Sequence, residues 1–107
     1  MKLLSVKKSE KKNKKYVATF CKCEGETKCK MNERKQVHFG AIKDNGVPYE
    51  DYTTHKDKER RERYRNRHSK EEDQEADTPG ALSFHILWGD STSIRENIKS
   101  FKKKYNV

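Results

Sequence analysis

The segment from Pro48 to His68 constrains this chain most, because it joins a turn with two tyrosines to a helix-forming stretch that is mostly charged. A helix that is polar nearly all round lacks an apolar stripe, so it bridges other elements, docks on a partner or lies on an acidic surface. Arginine presents a rigid fork of donors that matches carboxylates and phosphates. Five arginines fall within eight residues of this stretch: Arg60, Arg61, Arg63, Arg65 and Arg67. The segment therefore predicts a surface that contacts anionic groups.

The composition predicts one small domain with a thin interior. The chain has 107 residues, of which 30% are hydrophobic and 40% are charged, and its net charge is +9. A domain of this size buries roughly 60–65% of its unfolded surface, so we expect contacts with partners to supply part of its stability. No apolar run reaches the roughly 18 residues of a transmembrane helix, and we expect a soluble protein without membrane insertion.

Local patterns predict an α+β fold, in which an N-terminal antiparallel β-hairpin precedes a charged helix and a C-terminal helical pair. Residues 1–15 carry seven lysines against one glutamate, and we expect 1–14 to be a basic extended arm. The single domain then covers 15–107. Within it, β-formers at 16–20 and 36–42 predict a hairpin over 15–47. Alternation places these residues on the inner face of the two strands: Tyr16, Ala18, Phe20, Val37, Phe39 and Ala41.

The charged segment predicts one helix and a linker after it. Thr54 with Asp57 three residues later fits a capping box, so we expect a charged helix over 54–68. Residues 69–77 consist largely of Asp and Glu, and such a block is typical of a solvated acidic linker.

A helical pair over 78–105 is predicted by two helix starts and one apolar stripe. Thr78 before Pro79 is typical of an N-cap followed by the first helical residue. Ser93 with Glu96 is a second capping box. The helix after it has apolar residues at the spacing of a single face: Ile94, Ile98, Phe101 and Tyr105. We expect this stripe to pack on apolar residues of the preceding helix: Leu82, Phe84, Ile86, Leu87 and Trp88.

Three cysteines within nine residues, Cys21, Cys23 and Cys29, are the candidates for a disulfide or a metal site. With His38 they offer four possible zinc ligands, although the spacing is not the paired CxxC of a zinc knuckle. A disulfide from Cys21 or Cys23 to Cys29 is an alternative, and free thiols are the commonest outcome in a reducing cytosol. We expect no cofactor.

The remaining motifs favour an interface over an active site. The chain has no glycine-rich phosphate loop, and nothing in it marks a base or an oxyanion site for a cysteine nucleophile. His55 and His68 bracket the charged helix without obvious catalytic partners, so we expect no enzyme activity. Tyrosine and arginine are enriched at protein interfaces. We therefore predict that Tyr49 and Tyr52, with the five arginines of 60–67, contact a partner.

Four strings of the sequence resemble a family of small basic proteins of unknown function from large double-stranded DNA viruses. The strings are HFGA (38–41), YEDYTTHKDKERRERYRNRH (49–68), TPGALS (78–83) and LWGDSTSIR (87–95). The resemblance spans roughly residues 15–105. The string CKCEGETKC and the acidic linker depart from the family pattern, which implies that they make contacts specific to one virus.

The resemblance implies a viral origin and a place in the virion. It favours a minor capsid or cementing protein that binds major and minor capsid proteins and is assembled in the host cytoplasm. Viruses of this type commonly encode a thiol oxidase, which favours a disulfide among the cysteines.

Two other functions are alternatives to the capsid hypothesis. The net charge equally favours a viral protein that binds DNA or RNA phosphates, in which the lysine arm would make sequence-blind contacts. However, about half of the basic residues in the charged helix have acidic neighbours, which is more typical of protein–protein matching. A host-directed interaction protein, absent from purified particles, is the third possibility.

Overall fold

The N-terminal part of the chain is a three-stranded antiparallel sheet. The computed structural model describes residues 1–22, 29–30 and 33–107. In the sheet, β1 (Lys2–Lys8), β2 (Lys14–Cys21) and β3 (Arg34–Ala41) lie in the order β1-β2-β3. The predicted pairing of the two later strands is confirmed, with Tyr16 opposite Phe39.

The basic segment 1–14 contains the first strand of this sheet, so the prediction of an extended arm is wrong. Leu3 lies opposite Phe20 and Val6 opposite Ala18, and the register shifts between them as in a β-bulge. Strand side chains alternate faces, so residues three apart would normally point to opposite sides of the sheet. The irregularity lets Leu3 and Val6 both reach the core. The simple alternation signal of a strand is therefore missing from the sequence.

The core lies between the inner face of the sheet and the C-terminal helices. Phe20 and Phe39 are fully buried there, as predicted, whereas Ala41 is exposed at the end of β3. The predicted helical pair is present. Its first member is α3 (Pro79–Leu82), which continues as a π-helical turn (Ser83–Leu87), and its second is the later helix Ile94–Tyr105. Together the sheet and helices confirm the predicted α+β class.

Side-chain caps start the helices of the pair where the sequence predicts them. Thr78 Oγ1 accepts a hydrogen bond from the backbone of Ala81, and Ser93 Oγ accepts one from Glu96. In the helix that follows Ser93, Phe101 is buried and the rest of the predicted stripe packs against the core. None of the helices in the described part of the chain is both long and apolar enough to cross a membrane.

The predicted charged helix over 54–68 is divided into α1 (Tyr52–His55) and α2 (Lys58–Arg67). Asp51 caps α1 in a capping box with Thr54, so Thr54 does not start the long helix as predicted. Lys56 then adopts the left-handed conformation, with φ of 59°, and Asp57 caps α2. The division arises because two aspartates, six residues apart, each satisfy the free N–H groups of a helix start.

The acidic segment 69–77 packs on the protein through a few residues, so the prediction of a solvated linker is wrong for these, although most of its side chains are exposed. It begins with a 3₁₀ helix over Ser69–Asp73. The hydroxyl of Tyr105 donates to the carbonyl of Gln74 at 2.7 Å. Ala76 is buried in the core, and the segment therefore covers part of the last helix, α4 (Ile94–Tyr105).

Candidate binding site: a cationic cleft beside the arginine helix

Helix α2 is attached to the protein by a stack of aromatic rings. It has no buried residue, as its polar sequence predicts. The ring of Tyr64 lies 4.2 Å from that of Trp88 at an interplanar angle of 5°, and 4.1 Å from that of His68 on the same helix. Stacked rings of this kind contribute about 0.5–1.5 kcal/mol beyond the area that they bury. The stacking of Tyr64 thus attaches α2 in place of the apolar stripe that this helix lacks.

Two of the five arginines reinforce this attachment from one side of α2. Arg61 Nε donates to the carbonyl of Gly89 at 2.7 Å. The guanidinium groups of Arg61 and Arg65 both donate to the carboxylate of Asp90, at 2.5 and 3.0 Å. The hydrogen bond from Arg65 lowers the pKa of Asp90 below its ordinary value. Since the Asp90 side chain is 89% exposed, water screens these ion pairs, and the carbonyl contact is the stronger anchor.

The residues of the predicted interface consequently fall into two groups, one that packs within the protein and one that stays at the surface. Tyr52 is only 5% exposed and lies beneath Arg61, whose guanidinium carbon is 5.4 Å from the ring centre. Arg65 lies over the ring of Phe84. The prediction that Tyr52, Arg61 and Arg65 face a partner therefore needs correction, because these side chains pack within the protein.

The other predicted interface residues remain at the surface. Tyr49 is 51% exposed. Arg60 pairs with Glu50 at 3.0 Å, and both side chains are largely exposed. Arg63 and Arg67 are exposed, and neither forms an ion pair with any residue in the described part of the chain. For these residues the interface stays a prediction.

Arg63 and Arg67 line a cleft of about 570 Å³ between α2, one end of the sheet and α3. Lys14, the first residue of β2, lies on the sheet side of this cationic cleft. Tyr64 and Trp88 also line it. Among its lining residues, five are Lys or Arg and three are Asp or Glu, so the cleft carries a net positive charge: Lys14, Lys15, Arg60, Arg63, Arg67, Glu50, Asp51 and Glu71.

One cation and one carboxylate of the cleft neutralise each other. Lys15 Nζ lies 2.8 Å from Asp51 Oδ2, and their side chains are 10% and 3% exposed. Asp51 also accepts a hydrogen bond from the backbone of Thr53 at the start of α1. A buried pair of this kind fixes two elements relative to one another, because removal of either partner leaves a buried charge. Lys15 and Asp51 therefore hold the sheet against α1.

Glu71 has an unsatisfied oxygen in the cleft. Its Oε1 lies 3.3 Å from His68 Nδ1, but its Oε2 is buried without a hydrogen-bond partner among the described residues. Burial, and then the neighbouring Glu71 carboxylate, raise the pKa of Tyr64 well above its ordinary value. The hydroxyl of Tyr64 therefore stays protonated, and a hydrogen bond with Glu71 contributes to this shift of its pKa.

The cysteine predictions are resolved in part. Cys21 and Cys29 form a disulfide, with their Cα atoms 6.0 Å apart, across the connection between β2 and β3. Cys23 lies outside the described residues. The carboxylate of Glu33 lies beside the two sulfurs. Because Cys21 and Cys29 are joined in the disulfide, these two sulfurs are not thiolate ligands for the predicted zinc set, and His38 contacts Ser9 Oγ at 2.7 Å.

No local pattern in the sequence indicates that residues from distant segments share a cleft. The blocks of like charge around Lys14 and Glu71 instead predict an extended arm and a linker. Trp88 was predicted to be a core residue, and it is half-buried at the cleft. The available signal was the four-residue spacing of Arg63 and Arg67, which puts both on one helix face.

These features define a small α+β protein with a cationic cleft between a sheet and a charged helix. Residues 4–68 match a family described as Family of unknown function (DUF5754), and the chain belongs to that family. The match covers the sheet, α1 and α2 and ends at His68, so it does not extend over the resemblance noted at 78–95. No curated protein and no solved structure matches the chain.

Proposed function

We propose that the protein is a virion structural protein, a minor capsid or cementing protein of a large double-stranded DNA virus. It binds neighbouring capsid proteins through its cationic and tyrosine-bearing surface, and it lies in the host cytoplasm during assembly and in the capsid of the finished virion. The supporting observation is the cationic cleft, in which Arg63 and Arg67 are exposed and make no ion pair with other described residues. The viral setting is supported by the resemblance of the sequence strings.

The mixture of charges supports a protein partner. Carboxylates of Glu50 and Glu71 line the cleft beside the arginines. Complementary charge on both sides of an interface mainly provides specificity and fast association. A neighbouring protein can offer acidic and basic side chains in the same patch, whereas the backbone of a nucleic acid is uniformly anionic.

Quantitative mass spectrometry of purified particles tests this function. We expect the protein in particles at a copy number comparable to that of other minor capsid proteins, and at a lower level in the soluble fraction of infected cells. Its absence from particles would overturn the proposal and favour a host-directed interaction protein.

A viral nucleic-acid-binding protein is the second candidate, and the turn between β1 and β2 favours it. This hairpin exposes several lysines without acidic partners among the described residues: Lys7, Lys8, Lys11 and Lys12. Phosphate contacts release counterions, so the logarithm of affinity falls linearly with the logarithm of salt concentration. Tight binding to random duplex DNA with a steep salt slope would favour this candidate over the capsid protein.

A further inference from the structure

We propose that the cationic cleft binds an extended acidic peptide segment of a partner protein. This inference rests on the proposed function and assigns to it a site and a ligand class. The cleft has about 570 Å³, which is in the range of pockets that enclose a small ligand or a short segment. It is therefore suited to a single stretch of chain rather than to a broad, flat contact.

The arginine pair supplies the first part of the argument. Arg63 and Arg67 are four residues apart on α2, so their side chains are neighbours on one face. Lys14 faces the same space from the start of β2. Each guanidinium can hold a carboxylate through two parallel hydrogen bonds, which are stronger than hydrogen bonds between neutral groups. Acidic side chains along an extended segment would meet these cations.

The carboxylates of the cleft supply the second part. The carboxylate of Glu50 lines the cleft and is largely exposed, so it can accept hydrogen bonds from a ligand. A peptide brings backbone N–H donors together with its acidic side chains. A DNA backbone brings only acceptors, which would face Glu50 without a hydrogen to share. A peptide can therefore pair its acidic side chains with the cations of the cleft and its backbone N–H groups with the carboxylate.

The aromatic rings supply the third part. Proteins that bind single-stranded nucleic acid offer free aromatic faces on which bases stack. Both faces of Tyr64 are already occupied, by Trp88 on one side and His68 on the other. Tyr64 is thus used for the attachment of α2 and has no free face on which a base could stack, which favours recognition by charge at this position.

Trp88 provides a direct measurement, because it is the only tryptophan and it lines the cleft. The probe is a short synthetic peptide of alternating glutamate and serine, titrated into the full chain at physiological ionic strength while Trp88 fluorescence is recorded. We expect a saturable change with this peptide and none with the same peptide carrying glutamine at each glutamate. An oligothymidylate of equal charge is titrated in parallel.

A pair of double variants locates the site. Arg63→Gln with Arg67→Gln should weaken peptide binding by at least about tenfold, since it removes two charge-assisted contacts. The matched control is Lys99→Gln with Lys103→Gln, which removes the same charge at the same spacing from the exposed face of α4. The control should change the affinity by less than about twofold. Circular dichroism of the double variant shows whether it is folded. The single variant Arg67→Gln is titrated as well, so that the test does not depend on the double variant alone.

Three results would overturn the inference. The first is an equal loss in both double variants, which would mean attraction by net charge alone. The second is tighter binding of the oligothymidylate with a larger Trp88 response, which would assign the cleft to nucleic acid. The third is self-association that disappears in the Arg63→Gln, Arg67→Gln variant, which would make the occupant a second copy. The mass spectrometry of purified particles is independent of this experiment. If the protein is present in virions but does not bind the peptide, only the inference about the cleft is overturned.

Discussion

Helices α2 and α4 are similar in length and both are rich in lysine or arginine, but different interactions hold them in place. Helix α4 buries Phe101 and packs Ile94 and Ile98 against the core. Helix α2 buries no residue and is held by the Tyr64 stack and by Arg61. The first mode is nondirectional and scales with apolar area. The second depends on a few oriented contacts.

This difference explains which cations remain available for a partner. Because α2 is held along one side by Tyr64, Arg61 and Arg65, its other face is free to present Arg63 and Arg67 to the cleft. Helix α4 presents its lysines to solvent, and none of them lines the cationic cleft. A helix with oriented polar contacts can therefore be both a structural element and one wall of a charged site.

The largest loss in the free energy of unfolding should follow from a substitution in the apolar contacts of α4. Phe101→Ala should lower the free energy of unfolding by about 3–5 kcal/mol, because a large buried ring leaves a cavity. Urea unfolding, followed by Trp88 fluorescence, measures the change. Lys103→Ala on the exposed face of α4 is the control, with an expected change within about 0.5 kcal/mol. A loss for Phe101→Ala as small as that of the control would contradict the role assigned to the stripe.

Two arginine substitutions on α2 should distinguish an arginine that attaches the helix from one that is available to a partner. Arg61→Gln should cost about 1.5–3 kcal/mol, since it removes a charged donor from the Gly89 carbonyl while the side chain is only 13% exposed. Arg63→Gln should change the free energy of unfolding by less than about 0.5 kcal/mol. The same urea titration measures both. Equal destabilisation by the two substitutions would refute the division of the arginines.

The aromatic stack should contribute less than the buried ring of α4. Tyr64→Leu keeps apolar bulk on α2 but removes the stacking with Trp88, so we expect a loss of about 0.5–1.5 kcal/mol. Near-ultraviolet circular dichroism should lose part of its tryptophan signal in the same variant. An unchanged spectrum would indicate that the stack does not order Trp88.

The smallest effect should be a pH dependence arising on the α4 side. Burial, as the main cause, lowers the pKa of His85 below its ordinary value of 6.5, with Lys104 and Arg65 acting in the same direction. The unfolded chain therefore binds this proton more readily, and the free energy of unfolding falls as the pH drops below about 6.5. Urea unfolding between neutral pH and pH ~5 should show a shallower fall in His85→Gln. A slope identical to that of the parent protein would rule out this source.

Local signals in the sequence predicted the elements whose periodicity is regular. The stripe of α4, the N-cap at Thr78 and the facing strands 16–20 and 36–42 each depend on contacts between near neighbours or on simple alternation. The same reasoning failed for 1–14 and 69–77, where blocks of charge outweighed the few apolar residues. Leu3 and Ala76 are nevertheless buried, and both needed a partner surface distant in sequence.

The candidate site was predicted only as a set of residue types. Arginines and tyrosines in one segment indicated an interface, and Arg63 and Arg67 remain in that role as a prediction. The inward positions of Tyr52, Arg61 and Arg65 were not visible, because Asp90 and Gly89 reach α2 only through the tertiary fold. The disulfide partner of Cys29 was likewise open between two cysteines until Cys21 at the end of β2 was placed beside it.

The sequence alone determined the α+β class, the starts of the two C-terminal helices and the excess of positive charge, because these depend on local hydrogen bonding and composition. Tertiary structure decided which cations are neutralised and which line the cleft. A guanidinium has no preferred partner until folding places a carbonyl or carboxylate within about 3 Å. For this chain, that placement separates the arginines that fasten a helix from the arginines that are left to bind.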